Sequence, residues 1–242
     1  METVVSEPLL TIGRPRAAGE SGSGFAYRVL RNNIMRLRLE PGSLLNEGLL
    51  TAELGVSRTP VREGMLRLKG ERLVEVNPHK SSCVSRIDFI LVHEGFFARS
   101  AVERFLFRTL AGRLDSATLD VLRENLERQE RALERDDGLC DFFALDAEFH
   151  AALYRAAGMK HIWDSVIGIT THYDRLRYFG ALHGGARPRP IGCEHRELFE
   201  FLRNGGAAGT ADALIEKRLS GFMDLRSFLS TGYKRYFRDL EL

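Results

Sequence analysis

The sequence predicts a mainly α-helical protein built from two parts of different length. Residues 25–86 alternate short helical patterns with turn signals, whereas apolar residues after Asp88 recur at helical spacing over long segments. No convincing strand pattern interrupts the later segments, and long helices without strands favour a bundle. The predicted long helices lie near residues 88–113, 116–135, 138–157, 160–180, 191–204 and 210–231.

The composition is that of an ordinary globular chain. Hydrophobic residues make up 44% of the sequence, and no apolar run is long enough to predict a membrane span. Residues 1–24 are rich in Gly, Ser, Pro and Ala, which predicts a disordered leader rather than a secretory signal. Cys83, Cys140 and Cys193 fit neither a metal-ligand spacing nor a disulfide framework. Free thiols predict a cytoplasmic protein.

Charge is divided unevenly along the chain. Through Arg86 there are 13 Lys and Arg against 9 Asp and Glu, a net charge of +4, and the remaining residues carry 22 against 24, a net charge of −2. A basic first part followed by a nearly neutral second part is typical of a nucleic-acid-binding module joined to another domain.

The most specific local pattern is a pair of short helices that follows a predicted helix at residues 25–38. Asn46 is placed to cap the first of the pair, and Gly55 is placed to end it. The second helix begins near Ser57 or Thr59. Two helices separated by a glycine-containing turn, with the second helix polar and basic at its start, indicate a helix-turn-helix.

A wing follows the helix-turn-helix. The stretch LVEVNPHKSSCVSRI predicts two short strands around residues 78–82. Arginine can donate two hydrogen bonds to guanine, and Ser or Thr can bond phosphates or base edges. In isolation, Arg58 and Arg62 would also fit an ordinary solvated helix face. The order of helix, turn, basic helix and wing favours DNA binding instead.

The segment LNEGLLTAELGVSRTPVREGMLRLKGERLVEVNPHKSSCVSRI, with its GVSRTPVRE core and PHK wing, resembles the winged helix-turn-helix of the GntR superfamily. The resemblance implies a DNA-binding domain at residues 25–87. An arginine that contacts DNA in one relative has no counterpart, because Gly48 stands at that position. The residues implied to contact operator DNA are Ser57, Arg58, Thr59 and Arg62 of the recognition helix and His79, Lys80 and Ser82 of the wing.

The order and length of the later helices resemble the ligand-binding domain of the FadR subfamily, of the FCD type. This resemblance implies an all-helical effector-binding and dimerisation domain at residues 88–236. The whole chain would then be a sequence-specific transcription regulator that binds a palindromic operator as a homodimer. Family analogy favours a repressor, and a small organic acid is the implied effector.

Asp146 and His150 form the most specific polar pair of the predicted bundle. They are four residues apart and therefore project from one helix face, and His195 begins another helix. FCD domains have a similar Asp-x3-His pair and further histidines. The resemblance thus implies a divalent transition metal, zinc or nickel, for which this donor set is suited. A helix-surface ion pair would also explain Asp146 and His150.

Arg218 departs from the family pattern. When ALIEKRLSG is aligned with the last helix of the family, Arg218 takes the place of a histidine ligand. A guanidinium cannot ligate a metal. Two alternatives stay open: a three-ligand metal site weakened by a nearby cation, or an anion pocket in which Arg218 holds the effector directly.

Two further residues are candidates for the effector pocket. Arg99 resembles a pocket arginine of FCD domains, although an exposed helix residue would give the same pattern. Tyr173 lies on the fourth predicted helix, where core or surface packing is an alternative role.

Two other functional classes are open to test. Clusters of Asp, Glu, His and Arg could support metal-dependent enzymatic chemistry, but the sequence has no nucleophile elbow, phosphate loop, HExxH or dinucleotide fingerprint. We therefore expect no enzymatic activity. A non-specific DNA-binding protein would leave the long helical part without a purpose.

Overall fold

A computed structural model describes the chain in two units. The first unit combines the described residues up to Val92 with Thr171–Tyr178 and the described part of Phe228–Leu242. The second unit combines His93–Thr170 with the described part of Phe179–Ser227. Among the described helices, none has the length and apolar content needed to cross a membrane. The described residues are 15–76, 81–183, 189–223 and 232–238, without the side chains of 189–191, 208 and 218–223.

The described residues 15–76 and 81–86 of the first unit form three helices and a small sheet. The three strands form an antiparallel sheet in the order β1-β3-β2, in which Leu44 pairs with Cys83 and Val74 pairs with Val84. This arrangement is the winged helix-turn-helix that the sequence predicts. The elements are α1 (Gly22–Met35), β1 (Leu44–Leu45), α2 (Glu47–Leu54), α3 (Arg58–Gly70), β2 (Val74–Glu75) and β3 (Ser82–Val84).

The turn between α2 and α3 follows from the capping residues at both ends of α2. The Asn46 side chain accepts hydrogen bonds from the backbone N–H groups of Gly48 and Leu49. Gly55 ends the helix with φ of +63°, a left-handed conformation that glycine adopts without strain. Both predicted caps of α2 agree with the structure. Ser57 precedes α3 in extended conformation and makes no side-chain capping bond.

Close contact between α1 and α3 fixes the recognition helix on the core of the first unit. A Cβ added at Gly64 would lie 2.9 Å from the backbone nitrogen of Tyr27, so only glycine permits this approach. Leu30, Ile34 and Leu68 are fully buried in the same core. Burial of such side chains contributes roughly 1.5–3 kcal/mol each to folding.

Helix α1 begins earlier than the sequence predicts. The Ser21 side chain accepts a hydrogen bond from the backbone N–H of Gly24 and thereby caps a helix that starts at Gly22. The predicted disordered leader of residues 1–24 therefore overlaps α1 at its end. Residues 1–14 lie outside the described part of the chain.

Helix α4 (Phe89–Leu110) begins in the first unit, and so does α8 (Thr171–His183). The first turn of α8 binds backbone groups that lie far away in the sequence. Nε2 of His172 is 2.9 Å from the carbonyl oxygen of Arg72, and the backbone N–H of Asp88 donates to Nδ1 at 3.0 Å. Because the Arg72 carbonyl can only accept, the His172 proton is on Nε2.

Two further contacts hold the segment between β3 and α4. Arg175, which is fully buried, donates to the Ser85 carbonyl oxygen at 2.7 Å and to the Ser85 hydroxyl at 3.1 Å. Near the C-terminus, the Ile87 N–H donates to the Tyr236 carbonyl at 2.9 Å, and the Phe237 ring stacks on Phe89. The sequence predicts a single domain boundary at residue 87. The two units differ from this prediction, because residues from α8 and from near the C-terminus belong to the first unit.

The second unit is a bundle of helices around an apolar core. Phe107, Leu122, Phe149, Leu202 and Ala211 are fully buried at its centre. Besides the remainder of α4 and α8, it contains α5 (Ser116–Leu133), α6 (Leu139–Ala156), α7 (Lys160–Ile169), α9 (Arg189–Asn204) and α10 (Ala208–Met223).

The predicted fourth helix at residues 160–180 is wrong, because the chain forms two helices with a break at Thr170. Three consecutive β-branched residues, beginning with Ile169, lower the helix propensity there. Gly95 lets α4 approach the break, since an added Cβ would lie 2.9 Å from the Ile169 carbonyl oxygen.

Two other boundaries also differ from the sequence prediction. The interval between the helices predicted near residues 160–180 and 191–204 is shorter in the structure, because α8 extends to His183 and α9 begins at Arg189. Residues 184–188 lie outside the described part of the chain. Helix α5, predicted near residues 116–135, begins at Ser116 and ends at Leu133, and Asp115 caps it by accepting from the backbone N–H of Thr118.

Because His172 is buried in its neutral form, we predict that the first unit loses stability in acid. Burial, the charge of Arg175 and, to a smaller extent, that of Arg72 lower the pKa of His172 to about 4, against the partial opposing effects of the Arg72 carbonyl and Asp88. Between about pH 6.5 and pH 4 the unfolded chain therefore binds a proton that the folded chain does not, and stability falls as the pH falls through this window. The expected loss is at most about 3 kcal/mol.

The measurement is urea unfolding at several pH values, with hydrogen exchange of peptides from α1 and α3 as the probe of the first unit. His172→Gln should remove most of the pH dependence between about pH 6.5 and pH 4, since an amide cannot take up the proton. His161→Gln is the matched control, because the His161 side chain is 96% exposed. Equal pH dependence in the His172 variant and the unsubstituted chain would contradict the prediction.

Candidate functional site

The start of α3 presents four polar side chains to solvent. Ser57, Arg58, Thr59 and Arg62 are all exposed, and they lie at or near the helix N-terminus, where backbone N–H groups also favour anions. The first unit thus brings together the four recognition-helix residues singled out from the sequence. Their arrangement can bind phosphates and the edges of bases.

The wing residues have different positions. His79 and Lys80 lie outside the described residues. Ser82 was expected in the wing loop, but it lies in β3 opposite Leu45 and is 8% exposed. A side chain buried in the middle strand is not accessible to DNA, so the structure counts against Ser82 as a contact.

Arg62 is bound by a residue that the sequence analysis did not single out. Its Nε donates to both carboxylate oxygens of Glu47, at 3.1 and 2.9 Å. The two side chains are 62% and 31% exposed, and an exposed pair of this kind contributes only about 0–1 kcal/mol. Arg62 can therefore exchange Glu47 for a phosphate or a base at low cost. The position of Glu47 in the first turn of α2 was the available signal.

The second unit brings Asp146 and His150 of α6 together with His195 of α9. Each offers one ligand atom, and these atoms lie within 4.8 Å of one another. Asp146 is 2% exposed, His150 0% and His195 1%. The alternative of a helix-surface ion pair is therefore wrong, since the three groups are in the interior of the bundle.

A buried ion pair adjoins these three residues. Nε of Arg99 donates to Oε1 of Glu103 at 2.7 Å, and Nδ1 of His150 is 2.9 Å from the same oxygen. Nη2 of Arg99 is 4.0 Å from Oδ2 of Asp146. Arg99 is thus a buried residue of the cluster and not an exposed helix residue. Glu103 was missed as a functional candidate, although its spacing of four from Arg99 could have indicated the pair.

His195 is held on three sides. Its Nε2 lies 3.1 Å from Oδ1 of Asp146, and its Nδ1 lies 2.8 Å from Oε1 of Gln129 on α5. The imidazole also stacks on Phe149, with ring centroids 5.0 Å apart. No sequence signal pointed to Gln129, because its role depends on the packing of α5 against α9.

The donor set fits a divalent transition metal. One carboxylate and two imidazoles are ligands that zinc and nickel accept, and three protein ligands leave room for a water or a further ligand. The net charge of the cluster also suits a cation, because Arg99 offsets the charge of Glu103 while Asp146 leaves one negative charge. The three residues could therefore hold such an ion.

Two residues predicted for the effector pocket are not part of this described cluster. Arg218 belongs to α10, but its side chain lies outside the described residues. Tyr173 belongs to the first unit, where it is 4% exposed and the Arg177 guanidinium lies 5.6 Å from its ring centroid. Tyr173 lies there because the start of α8, Thr171–Tyr178, belongs to the first unit.

Two family models match the chain. Residues 23–84 match the model for bacterial regulatory proteins of the gntR family, and residues 94–217 match the FCD domain. A similar sequence, from Streptomyces ambofaciens, is an uncharacterized HTH-type transcriptional regulator in an unstable DNA locus, 41% identical over 74% of each chain. The HTH-type transcriptional repressor RspR of Escherichia coli K12 is 33% identical over 76% of this chain and 81% of its own.

Solved structures share the fold. McbR/YncC of E. coli superposes with a TM-score of 0.71 at 20% identity, over 85% of this chain and 99% of the other. A putative GntR regulator from Rhodococcus sp. RHA1 gives 0.65 at 22% identity, over 86% and 98%. The two sequence relatives, from S. ambofaciens and E. coli K12, are HTH-type transcriptional regulators.

The buried pair predicts a large cost for Glu103→Gln. The substitution would leave the Arg99 guanidinium buried without its nearest carboxylate, which costs about 3–5 kcal/mol. Urea unfolding followed by the fluorescence of Trp163, the single tryptophan of the chain, reports on the second unit. Glu127→Gln is the control, because Glu127 forms only an exposed pair with Arg131 on α5, and should change stability by less than about 0.5 kcal/mol. Similar values for both variants would refute the prediction.

Proposed function

The chain belongs to the gntR family of bacterial regulatory proteins and carries an FCD domain; from this premise we propose that it is a transcriptional repressor whose operator binding is controlled by a small carboxylate. DNA binding and transcription regulation are properties of the family. The exposed basic start of α3 is the observation that carries the proposal on this chain. Repression is supported by the relative RspR, which is a transcriptional repressor.

For operator reading, we assign Arg58 and Arg62 to base edges and Ser57 and Thr59 to phosphates or base edges. The exposed Glu47 pair keeps Arg62 oriented at the helix surface until DNA replaces it. A palindromic operator requires two reading heads at fixed spacing, so the acting species is a homodimer in the cytoplasm. The apolar face of α4 with Phe97 and Phe105, which are 68% and 55% exposed, is the surface we assign to the second copy.

For the effector, we assign Asp146, His150 and His195 as ligands of zinc or nickel. The metal would supply a Lewis-acidic site whose open positions accept a carboxylate. Arg99 contributes positive charge 4.0 Å from Asp146. Arg218 is the alternative anion-binding residue. Tyr173 was a candidate because of its position on the predicted fourth helix, and its burial in the first unit gives this role no support. An effector shifts the regulator only if it binds one conformation more tightly than the other.

Arg58→Ala and Arg62→Ala should each remove most of the preference for the operator. A bidentate base contact contributes roughly 1–3 kcal/mol of discrimination. The operator is first isolated by selection from a random DNA pool, and each variant is then compared in competitive gel shifts against scrambled DNA. Arg67→Ala is the control on the same helix, because the Arg67 guanidinium lies 3.8 Å from the Tyr27 ring centroid in a contact with α1. Unchanged preference in both test variants would remove them from operator reading.

Metal content separates the two effector alternatives. Protein prepared without chelators should carry about one zinc or nickel per chain, and His150→Ala should lose it, while the exposed control His161→Ala should keep it. Arg218→His should then raise metal affinity, because an imidazole ligand replaces a cation. If no metal is present or taken up, and Arg218→His abolishes effector-dependent release of DNA, the anion pocket is the correct account.

A further inference from the structure

A chain of buried amide groups connects α6 with His195. The Asn125 side-chain amide donates to the carbonyl oxygen of Leu145 at 3.2 Å, and Gln129 Nε2 donates to Asn125 Oδ1 at 2.7 Å. Gln129 Oε1 then lies 2.8 Å from Nδ1 of His195. Asn125 is 6% exposed and Gln129 is 1% exposed. Buried polar groups of this kind keep their partners, because exchange for water is not open to them.

The direction of these hydrogen bonds is determined by the Leu145 carbonyl. A carbonyl oxygen can only accept, so the Asn125 amide nitrogen must face it. The Asn125 oxygen therefore faces Gln129, and the Gln129 nitrogen must be the donor to it. This orientation leaves the Gln129 oxygen toward His195. Since that oxygen can only accept, Nδ1 of His195 carries the proton.

The remaining ring nitrogen faces a carboxylate. Nε2 of His195 lies 3.1 Å from Oδ1 of Asp146, and in a neutral His195 with its proton on Nδ1 both of these atoms are electron-pair donors. Two donors at this separation favour a cation that both can bind. We infer that Gln129 and Asn125 are positioning residues that select Nε2 of His195 as the atom that binds this cation. The inference rests on the metal site proposed above and adds two residues to it.

The hydrogen-bonded side chains of Asn125 and Gln129, here called the amide relay, are oriented from α6. Leu145 immediately precedes Asp146, so the same helical turn supplies the carboxylate and the carbonyl group that orients the amide relay. A histidine ligand whose second nitrogen donates to a fixed acceptor is a stronger and better oriented ligand, and loss of such an acceptor typically weakens metal binding about 10–100-fold. Here the acceptor is an uncharged amide, so it adds no further charge to the buried cluster.

The first test is the zinc affinity of the full chain, measured by competition with a chromophoric chelator. Gln129→Met keeps the approximate length of the side chain but removes the acceptor, and should weaken zinc binding about 10–100-fold. Glu130→Gln is the matched control, because the neighbouring Glu130 also joins α5 to α9, through an exposed pair with Arg196. Zinc affinity of Gln129→Met equal to that of the unsubstituted chain would overturn the inference.

The second test needs no metal. Ring ¹⁵N chemical shifts of the metal-free, unsubstituted chain in mildly alkaline buffer should show His195 with its proton on Nδ1, and Gln129→Met should mix or reverse the two tautomers. If the Nε2–H tautomer predominates in the unsubstituted chain, the inference is wrong, whether or not the Gln129 variant folds. If the Nδ1–H tautomer is found but neither zinc nor nickel binds, the amide relay does orient His195, and the proposed metal site is wrong.

Discussion

The helical second unit buries charged side chains, and each of them needs a polar or oppositely charged partner in the interior. Asp146, Glu103 and Arg99 are all within a few per cent of complete burial, and an isolated charge in such a place costs several kcal/mol. Arg99 offsets one carboxylate at 2.7 Å and approaches the second at 4.0 Å. The imidazoles of His150 and His195 contact the same two carboxylates. Helices α4, α6 and α9 must therefore keep their mutual positions, or a charge loses its partner.

The first unit handles its buried polar groups in a different way. Burial and the nearby charge of Arg175 lower the pKa of His172 and keep it neutral, while Nδ1 accepts from the Asp88 N–H and Nε2 donates to the Arg72 carbonyl. Burial also lowers the pKa of Arg175, to about 9, yet the group stays protonated at neutral pH and binds Ser85. This network is sensitive to acid, because a protonated His172 could no longer accept from the Asp88 N–H. The carboxylate cluster of the second unit differs, since any bound cation or anion changes its charge balance directly.

Local sequence signals predicted those features that local chemistry determines. The cap by Asn46, the left-handed Gly55 and the exposed start of α3 all depend on residues within a few positions of one another. The Asp146 and His150 pair was accessible because a spacing of four places both on one helix face. The break at Thr170 and the cap by Asp115 were missed because helical periodicity locates a helix better than its ends.

Local sequence signals do not predict contacts between distant segments. Gln129 is 66 residues from His195, and His172 is 100 residues from Arg72. Neither pair has a spacing that marks it, since each depends on how helices pack after they have formed. The expected position of Ser82 in the wing loop was wrong for a related reason. Whether Ser82 belongs to a loop or to the middle strand depends on the register with Leu45.

The contrast between exposed and buried ion pairs indicates where regulation can act. Arg62 and Glu47 are partly solvated, so replacing one partner changes the free energy by about 1 kcal/mol or less. This makes Arg62 suited to changing partners when DNA arrives, but poorly suited to driving a conformational change. Arg99 and Glu103 are buried, and disturbing such a pair costs about 3–5 kcal/mol. Coupling between two ligands typically requires about 1–3 kcal/mol. Under the function proposed above, a small carboxylate that altered the charge balance of the buried cluster would therefore have enough differential free energy to control DNA binding, whereas the same ligand at the surface of α3 would not.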